Sequence, residues 1–384
     1  MDNSTCIHLM NVLQSDSAEE LRNMINQGLS CNQKIISNED VIPTDLIYST
    51  PILLASLYFG AINCFNLLLE LGANVNNGDL WHRSLAFYFS FVKTPSFFDD
   101  KLVKYDFKRI DWRGRLPIHF AAEKGNVALI SFLVTRNLND INSLDGFKMT
   151  PLHVACEHGN LEAVQFLLQN GSLYQPDKMG RTPLFFAVSK GKSRIVRHFC
   201  NTNPDMLSEK NPESRSLLHI AAISDANEII EFLSENGLNI NETDSYGYTP
   251  LHYIAERNGV SSIQSILAIT ALNPHIPDKS GSTALHVAAR YGNIDIVKAL
   301  IPHIDINALD NFQRTPAHIA SMYGKGSILN ELIANNCNYL LKDINSKTPY
   351  HLASGCFKDA MQQLITRKYN YDKSKGAVKG QCKV

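Results

Sequence analysis

Residues 150–159 read Thr-Pro-Leu-His-Val-Ala-Cys-Glu-His-Gly, and variants of this decapeptide return every 32 to 34 residues, with one double-length gap. The copies open at Thr50, Leu116, Thr150, Thr182, Ser216, Thr249, Thr283, Thr315 and Thr348. From Thr50 to Leu116 is 66 residues, two periods, so a degenerate copy is expected near Ser84. Ten units then fill residues 50–371. Self-similarity at such a period is the mark of a stacked-repeat architecture rather than of one compact core.

Each position of the string has a local reason. Thr is a good N-cap, and Pro at the next position matches the φ of a first helical turn. About nine residues on, Gly60, Gly125, Gly159, Gly191, Gly292 and Gly324 stop that helix. Asp225 and Asn258 stand there in two copies, and both types tolerate positive φ. A second amphipathic run follows, as in Leu161, Val164, Leu167 and Leu168. The link to the next copy carries an aspartate, at Asp111, Asp145, Asp177, Asp244, Asp278, Asp310 and Asp343, in turn-forming surroundings.

Helix, tight turn, helix and turn-tipped loop, opened by Thr-Pro-Leu-His, resemble the ankyrin repeat family. The match covers about four-fifths of the chain. Seven copies keep the histidine (His119, His153, His219, His252, His286, His318, His351), whereas Phe185 and Leu54 replace it and the phenylalanine-rich Ser84 copy scarcely shows the motif. The resemblance implies an all-α ankyrin-repeat solenoid of stacked antiparallel helix pairs with β-turn finger loops. Residues 1–49 are expected to form an N-terminal helical cap, 50–371 the array with its degenerate copy at about 84–115, and 372–384 a flexible basic tail. Six basic residues against Asp372 over 367–384 give that end a net +5, and the chain total of −1 leaves −6 elsewhere.

Composition narrows function. A hydrophobic share of 44% with 19% charged residues excludes a disordered chain. Eight cysteines without Cys-x-x-Cys, several in helical patterns (Cys64, Cys156, Cys356), read as reduced thiols in an intracellular protein, with cytoplasmic residence expected and nuclear residence the alternative. No secretory signal is evident at the start. The uncharged stretch 46–69 is broken by Thr50-Pro51, Gly60, Asn63 and Asn66, so no membrane span is expected. Histidines one repeat apart stand about 8–10 Å apart, too far for shared ligation of a zinc ion at about 2 Å. No phosphate loop, His-Glu-x-x-His or Gly-x-Ser-x-Gly is present, so no metal, no cofactor, no small-molecule substrate and no catalytic residue are expected.

In the family the resemblance points to, partners meet the loop tips and the inner face of the first helices. That places candidate contacts at Trp112, Arg113, Arg115, Phe147, Met179, Arg181, Arg215, Tyr246, Tyr248, Arg257, Tyr291, Phe312, Arg314 and Tyr323. Arg, Tyr, Trp, Phe and Met are enriched at interface hot spots. The expected function is a non-enzymatic interaction module or adaptor that binds an acidic or aromatic-bearing protein segment on the concave face and finger loops, not a nucleic acid. The alternative is a regulatory or inhibitory subunit that occludes an enzyme or transcription factor. A competing account of the same residues has each arginine lying over a neighbouring ring and binding nothing.

Overall fold

The computed structural model describes residues 3–35 and 49–353, together with 358, 362, 363 and 366. The expected end of the array at 371, Cys356 and the basic segment 372–384 lie outside the described residues. The chain forms two compact units, Met1–Ala187 and Val188–Val384.

In the first unit, helices Asn3–Gln14 and Ala18–Asn26 precede Ile52–Tyr58 and Ile62–Glu70, then Pro117–Lys124 with Val127–Thr135, and Pro151–His158 with Leu161–Gln169. Pro117–Lys124 packs on Pro151–His158 while Val127–Thr135 packs on Leu161–Gln169, so first helices form one layer and second helices another. The second unit repeats the scheme, with Leu217–Ile223, Pro250–Arg257, Ala284–Tyr291 and Pro316–Met322 in one row. Asn227–Glu235, Val260–Leu267, Ile294–Leu300 and Gly326–Ala334 make the other. Among the described residues the one sheet is a two-residue antiparallel pairing of Lys34–Ile35 with Thr50–Pro51.

The first helices start where sequence places them because the Thr-x-x-His pair caps reciprocally. In the copy at 150, Thr150 Oγ1 accepts from the His153 amide at 3.4 Å and His153 Nδ1 accepts from the Thr150 amide at 3.1 Å. The far ring nitrogen, Nε2, donates to the carbonyl of Arg181, the residue before the next cap, at 3.2 Å. The same reach recurs from His119 to Met149, His219 to Tyr248, His252 to Ser282, His286 to Arg314 and His318 to Lys347, all between 2.9 and 3.1 Å. One buried imidazole therefore closes its own helix and ties down the following repeat.

The helix stops also behave as expected, Gly125, Gly159 and Gly292 taking φ of 69°, 85° and 87°. Asp225 sits at φ 53° and does more than a glycine could. Its carboxylate accepts from the Ser261 and Ser262 amides at 3.2 and 2.8 Å, capping the second helix of the next copy. Asp16, at φ 51°, does the same for Asn63 and Cys64.

The copy at 84–115 departs from the expected helix pair. A single α-turn, Leu85–Tyr88, is followed by three short 3₁₀ segments, Phe89–Phe91, Pro95–Phe97 and Asp100–Lys104, where a second α-helix was expected. Pro95 forces Thr94 into an extended conformation, and the run lacks an i, i+3, i+4 apolar stripe. Packing replaces regularity: the buried Phe89 ring meets Phe65, Phe97, Tyr105 and Phe107 at centroid distances of 5.7 to 6.3 Å. Such clusters add to the area buried.

Two outcomes test this account. Phe89→Ala is expected to cost about 3–5 kcal/mol of unfolding free energy. A loss below about 1 kcal/mol in denaturant melts would mean that the aromatic cluster does not hold this copy. Burial holds the His153 imidazole at about 4, and those of His119, His219, His252, His286 and His318 below the ordinary histidine value. The unfolded chain therefore takes up protons that the folded chain refuses, and stability falls as pH drops from about 6.5 towards 4. His153 alone accounts for up to about 3 kcal/mol at the acid end. Asp177 and Asp244 are held below the usual carboxylate range: burial raises them, but hydrogen bonds from Arg181, or from Tyr253 and backbone amides, outweigh it. Their contribution is lost only below about pH 4. Melts that are flat between pH 6.5 and 4.5 would refute the histidine contribution.

Candidate functional site

Each finger turn is built on its aspartate. Asp111 Oδ1 accepts from the amides of Arg113 and Arg115, both at 2.9 Å, and Asp145, Asp177, Asp244, Asp278, Asp310 and Asp343 bind their own second and fourth following amides alike. Asp79 and Asn211 do the same in two copies where no loop aspartate was assigned from sequence. Their spacing from the next cap was the signal available for finding them.

Adjacent tips are zipped by backbone. In the first unit the amides of Trp112, Gly146 and Lys178 donate to the carbonyls of Trp81, Arg113 and Phe147 at 2.9 to 3.3 Å. In the second unit Ser245, Lys279, Asn311 and Ile344 donate to Glu213, Tyr246, Ser280 and Phe312 in the same way. Gly146 is required by this approach, since a Cβ there would lie 2.7 Å from the Arg113 carbonyl oxygen.

A groove of about 430 Å³ opens along the first unit's tips, lined in part by Trp81, Trp112, Arg113, Arg115, Phe147 and Asp145. Four residues expected from sequence thus meet in one place. Trp112 and Phe147 are 54% and 55% exposed, and Trp81 leans against Trp112 with centroids 5.7 Å apart and the rings tilted by 38°. Phe120, Glu123, Met149, Glu157 and His158 complete the walls. Met179, 66% exposed, is the tip of the next finger. In the second unit Tyr246 and Phe312 are exposed tips, and Tyr291 and Tyr323 flank the Arg290 guanidinium at 5.7 and 5.3 Å. Tyr248 lies on His252, centroids 5.1 Å apart, and burial pushes its phenol up to about 12.

Most of the expected arginines spend their charge inside the fold. Arg115 binds Asp111 Oδ2 at 2.8 Å and Glu123 Oε2 at 2.7 Å. Arg181 binds Asp177 at 2.7 Å and lies over Phe186, while Arg314 binds Asp310 at 2.7 Å and lies 4.6 Å from the Phe312 centroid. Arg215 donates to the Tyr253 hydroxyl at 2.9 Å and faces Asp244 at 3.5 Å. Arg257 faces Glu256 at 3.7 Å. Arg113 lies over Trp112 at 4.7 Å, with no carboxylate paired to it among the described residues. Burial raises the Glu123 carboxyl, and the Lys124 and Arg115 charges more than reverse it, leaving the group ionised. No group of three His, Cys, Asp or Glu side chains suited to a metal comes together among the described residues, and no helix there is long and apolar enough to cross a membrane.

Comparison with known proteins adds context. The family model for ankyrin repeats (3 copies) matches in overlapping stretches from residue 100 to residue 343. The chain is 26% identical over 270 residues, 67% of its own length, to ankyrin repeat protein nuc-2 of Neurospora crassa. It is 30% identical over 115 residues, 30% of its length, to the tyrosine-protein kinase Shark of Drosophila melanogaster. It is also 26% identical over 181 residues, 47% of its length, to human SH3 and multiple ankyrin repeat domains protein 2. These alignments span 24%, 12% and 10% of the relatives' own lengths, so the chain covers less than a quarter of each. Among solved structures, the ankyrin repeat domain of Bcl-3, a member of the IkappaB protein family, aligns at 23% identity with a TM-score of 0.48, over 56% of this chain and 98% of that one.

The contrast between paired and unpaired arginines is testable. Arg115→Ala, which strands the buried Asp111 carboxylate, is expected to lower stability by about 2–3 kcal/mol. Arg113→Ala should cost under about 0.5 kcal/mol. Equal losses for the two in thermal melts would contradict the division drawn between them.

Proposed function

The chain belongs to the ankyrin-repeat family, and on that premise we propose that it is a non-enzymatic protein-binding module, taking a segment of another protein along its finger tips and the adjoining first helices. The observation that carries this reading is the groove at Trp81, Trp112 and Phe147, where large aromatic side chains stand in water beside an opening of about 430 Å³. Exposed aromatic clusters are costly to keep in solvent unless something covers them, and they supply most of the affinity once covered. Arg113 offers an acidic residue of the partner a cation. With Arg115, Arg181, Arg215 and Arg314 paired to internal groups, an acidic preference rests on fewer charges than the sequence suggests. Residues 1–49 serve in this reading as the cap of an array running over 50–371.

The test is kinetic. With a protein partner in hand, Trp112→Ala and Phe147→Ala are each expected to raise the dissociation rate by about tenfold, equivalent to about 1–2 kcal/mol. Arg113→Ala is expected to act mainly on association and its salt dependence. Unchanged binding in both aromatic variants, still folded by circular dichroism, would move the interface away from these fingers.

A further inference from the structure

Four fingers among the described residues carry the same device: an aspartate whose first carboxylate oxygen caps the turn and whose second holds the guanidinium of the arginine four residues on. They are Asp79 with Arg83, Asp111 with Arg115, Asp177 with Arg181 and Asp310 with Arg314. The finger at 310–314 adds a ring, since Arg314 lies between Asp310 Oδ2 and the face of Phe312. The finger at 145–149 has the same aspartate and the same phenylalanine, Asp145 and Phe147, but Met149 stands where the arginine belongs. Asp145 still caps through Oδ1, accepting from Phe147 and Met149 at 2.8 Å, and no cation faces its second oxygen among the described residues.

Other fingers also lack that arginine, and their surroundings differ. The second oxygen of Asp244 is taken by the Tyr253 hydroxyl at 2.6 Å and by Arg215. Asp343 is buried. Asp278 opens on a space of only about 70 Å³, which Arg290 and Arg314 line. Among these fingers Asp145, half-buried, is the one whose aspartate lines the groove of about 430 Å³ beside an exposed ring, Phe147. Arg83 and Arg115 do not compete for it, being committed to Asp79 and to Asp111 and Glu123, and Arg113 lies over Trp112 without an ion pair to Asp145 among the described residues.

We propose that this groove receives an arginine side chain from the protein partner, its guanidinium paired with Asp145 and laid over Phe147 in the place that Arg314 fills at Asp310. The proposal rests on the reading of the chain as a protein-binding module and names the chemistry that the partner presents there. Arginine fits better than lysine because a planar fork can bind carboxylate and stack on a ring at once.

The full chain tests this directly, because its only two tryptophans, Trp81 and Trp112, both line the groove. Acetyl-Gly-Arg-Gly-amide is expected to change tryptophan emission saturably, and acetyl-Gly-Lys-Gly-amide to bind about tenfold more weakly. Asp145→Asn keeps the cap, as Asn211 does in its own finger, and is expected to weaken the arginine peptide by about tenfold. Met149→Arg supplies the guanidinium in cis and is expected to abolish peptide binding while holding or raising the melting temperature. Equal response to both peptides, no saturable response, or undiminished binding in either variant would overturn the proposal. Should Met149→Arg fail to fold, Asp145→Asn decides alone. A protein partner that binds Met149→Arg as tightly as the parent sinks the arginine site and leaves the module intact; one indifferent to Trp112→Ala and Phe147→Ala sinks the module's fingers as well.

Discussion

The neutral imidazole of the repeated histidine is the joint on which the stack depends. Its Nδ1 must accept, because the Thr amide points at it, and its Nε2 must donate, because a carbonyl of the next repeat waits there. One tautomer satisfies both demands, and a second proton on the ring would face the Thr N–H head-on. Backbone polar groups at the junction of two copies would otherwise be buried without partners, at a cost per group comparable to the whole gain of an ordinary hydrogen bond. The copy that carries Phe185 gives up this bond and keeps a Thr182 hydroxyl bonded to Tyr174 at 3.1 Å.

Much of this was readable from sequence because it is local. Caps, stops and finger aspartates are fixed offsets along the chain, and each offset corresponds to a bond within four residues. What proved harder was any feature in which one part of the pattern uses another. The arginines before each cap look like surface charge in a list of residues, yet four residues after an aspartate in a tight turn is the spacing that returns a guanidinium to the carboxylate. A periodic basic series and a set of internal ion pairs have the same sequence signature. Only geometry separates Arg113, which lies over Trp112, from Arg115, which is absorbed.

The copy at 84–115 illustrates the opposite limit. Motif loss there announces that the regular helix pair is gone, but not what stands in its place. Aromatic packing has no fixed spacing along the chain, so Phe65, Phe89, Phe107 and Phe132 meet through tertiary contacts that no period encodes. Even so, Asp79 and Arg83 build the finger that leads into this copy and present Trp81 beside its Trp112, so half of the tryptophan pair lies in the copy that least resembles the others.

The backbone zipper between fingertips separates two jobs that most loops combine. Every bond in it runs from amide to carbonyl, so it holds the turns in register whatever side chain each turn displays. Away from glycines such as Gly146, where a side chain would strike the neighbouring turn, a residue at a tip can be exchanged without loosening its neighbour, and the alphabet exposed to a ligand can drift while the frame stays put. An incoming segment then meets anchors whose main chain has already surrendered its freedom during folding, which leaves most of the ordering entropy of association to the ligand.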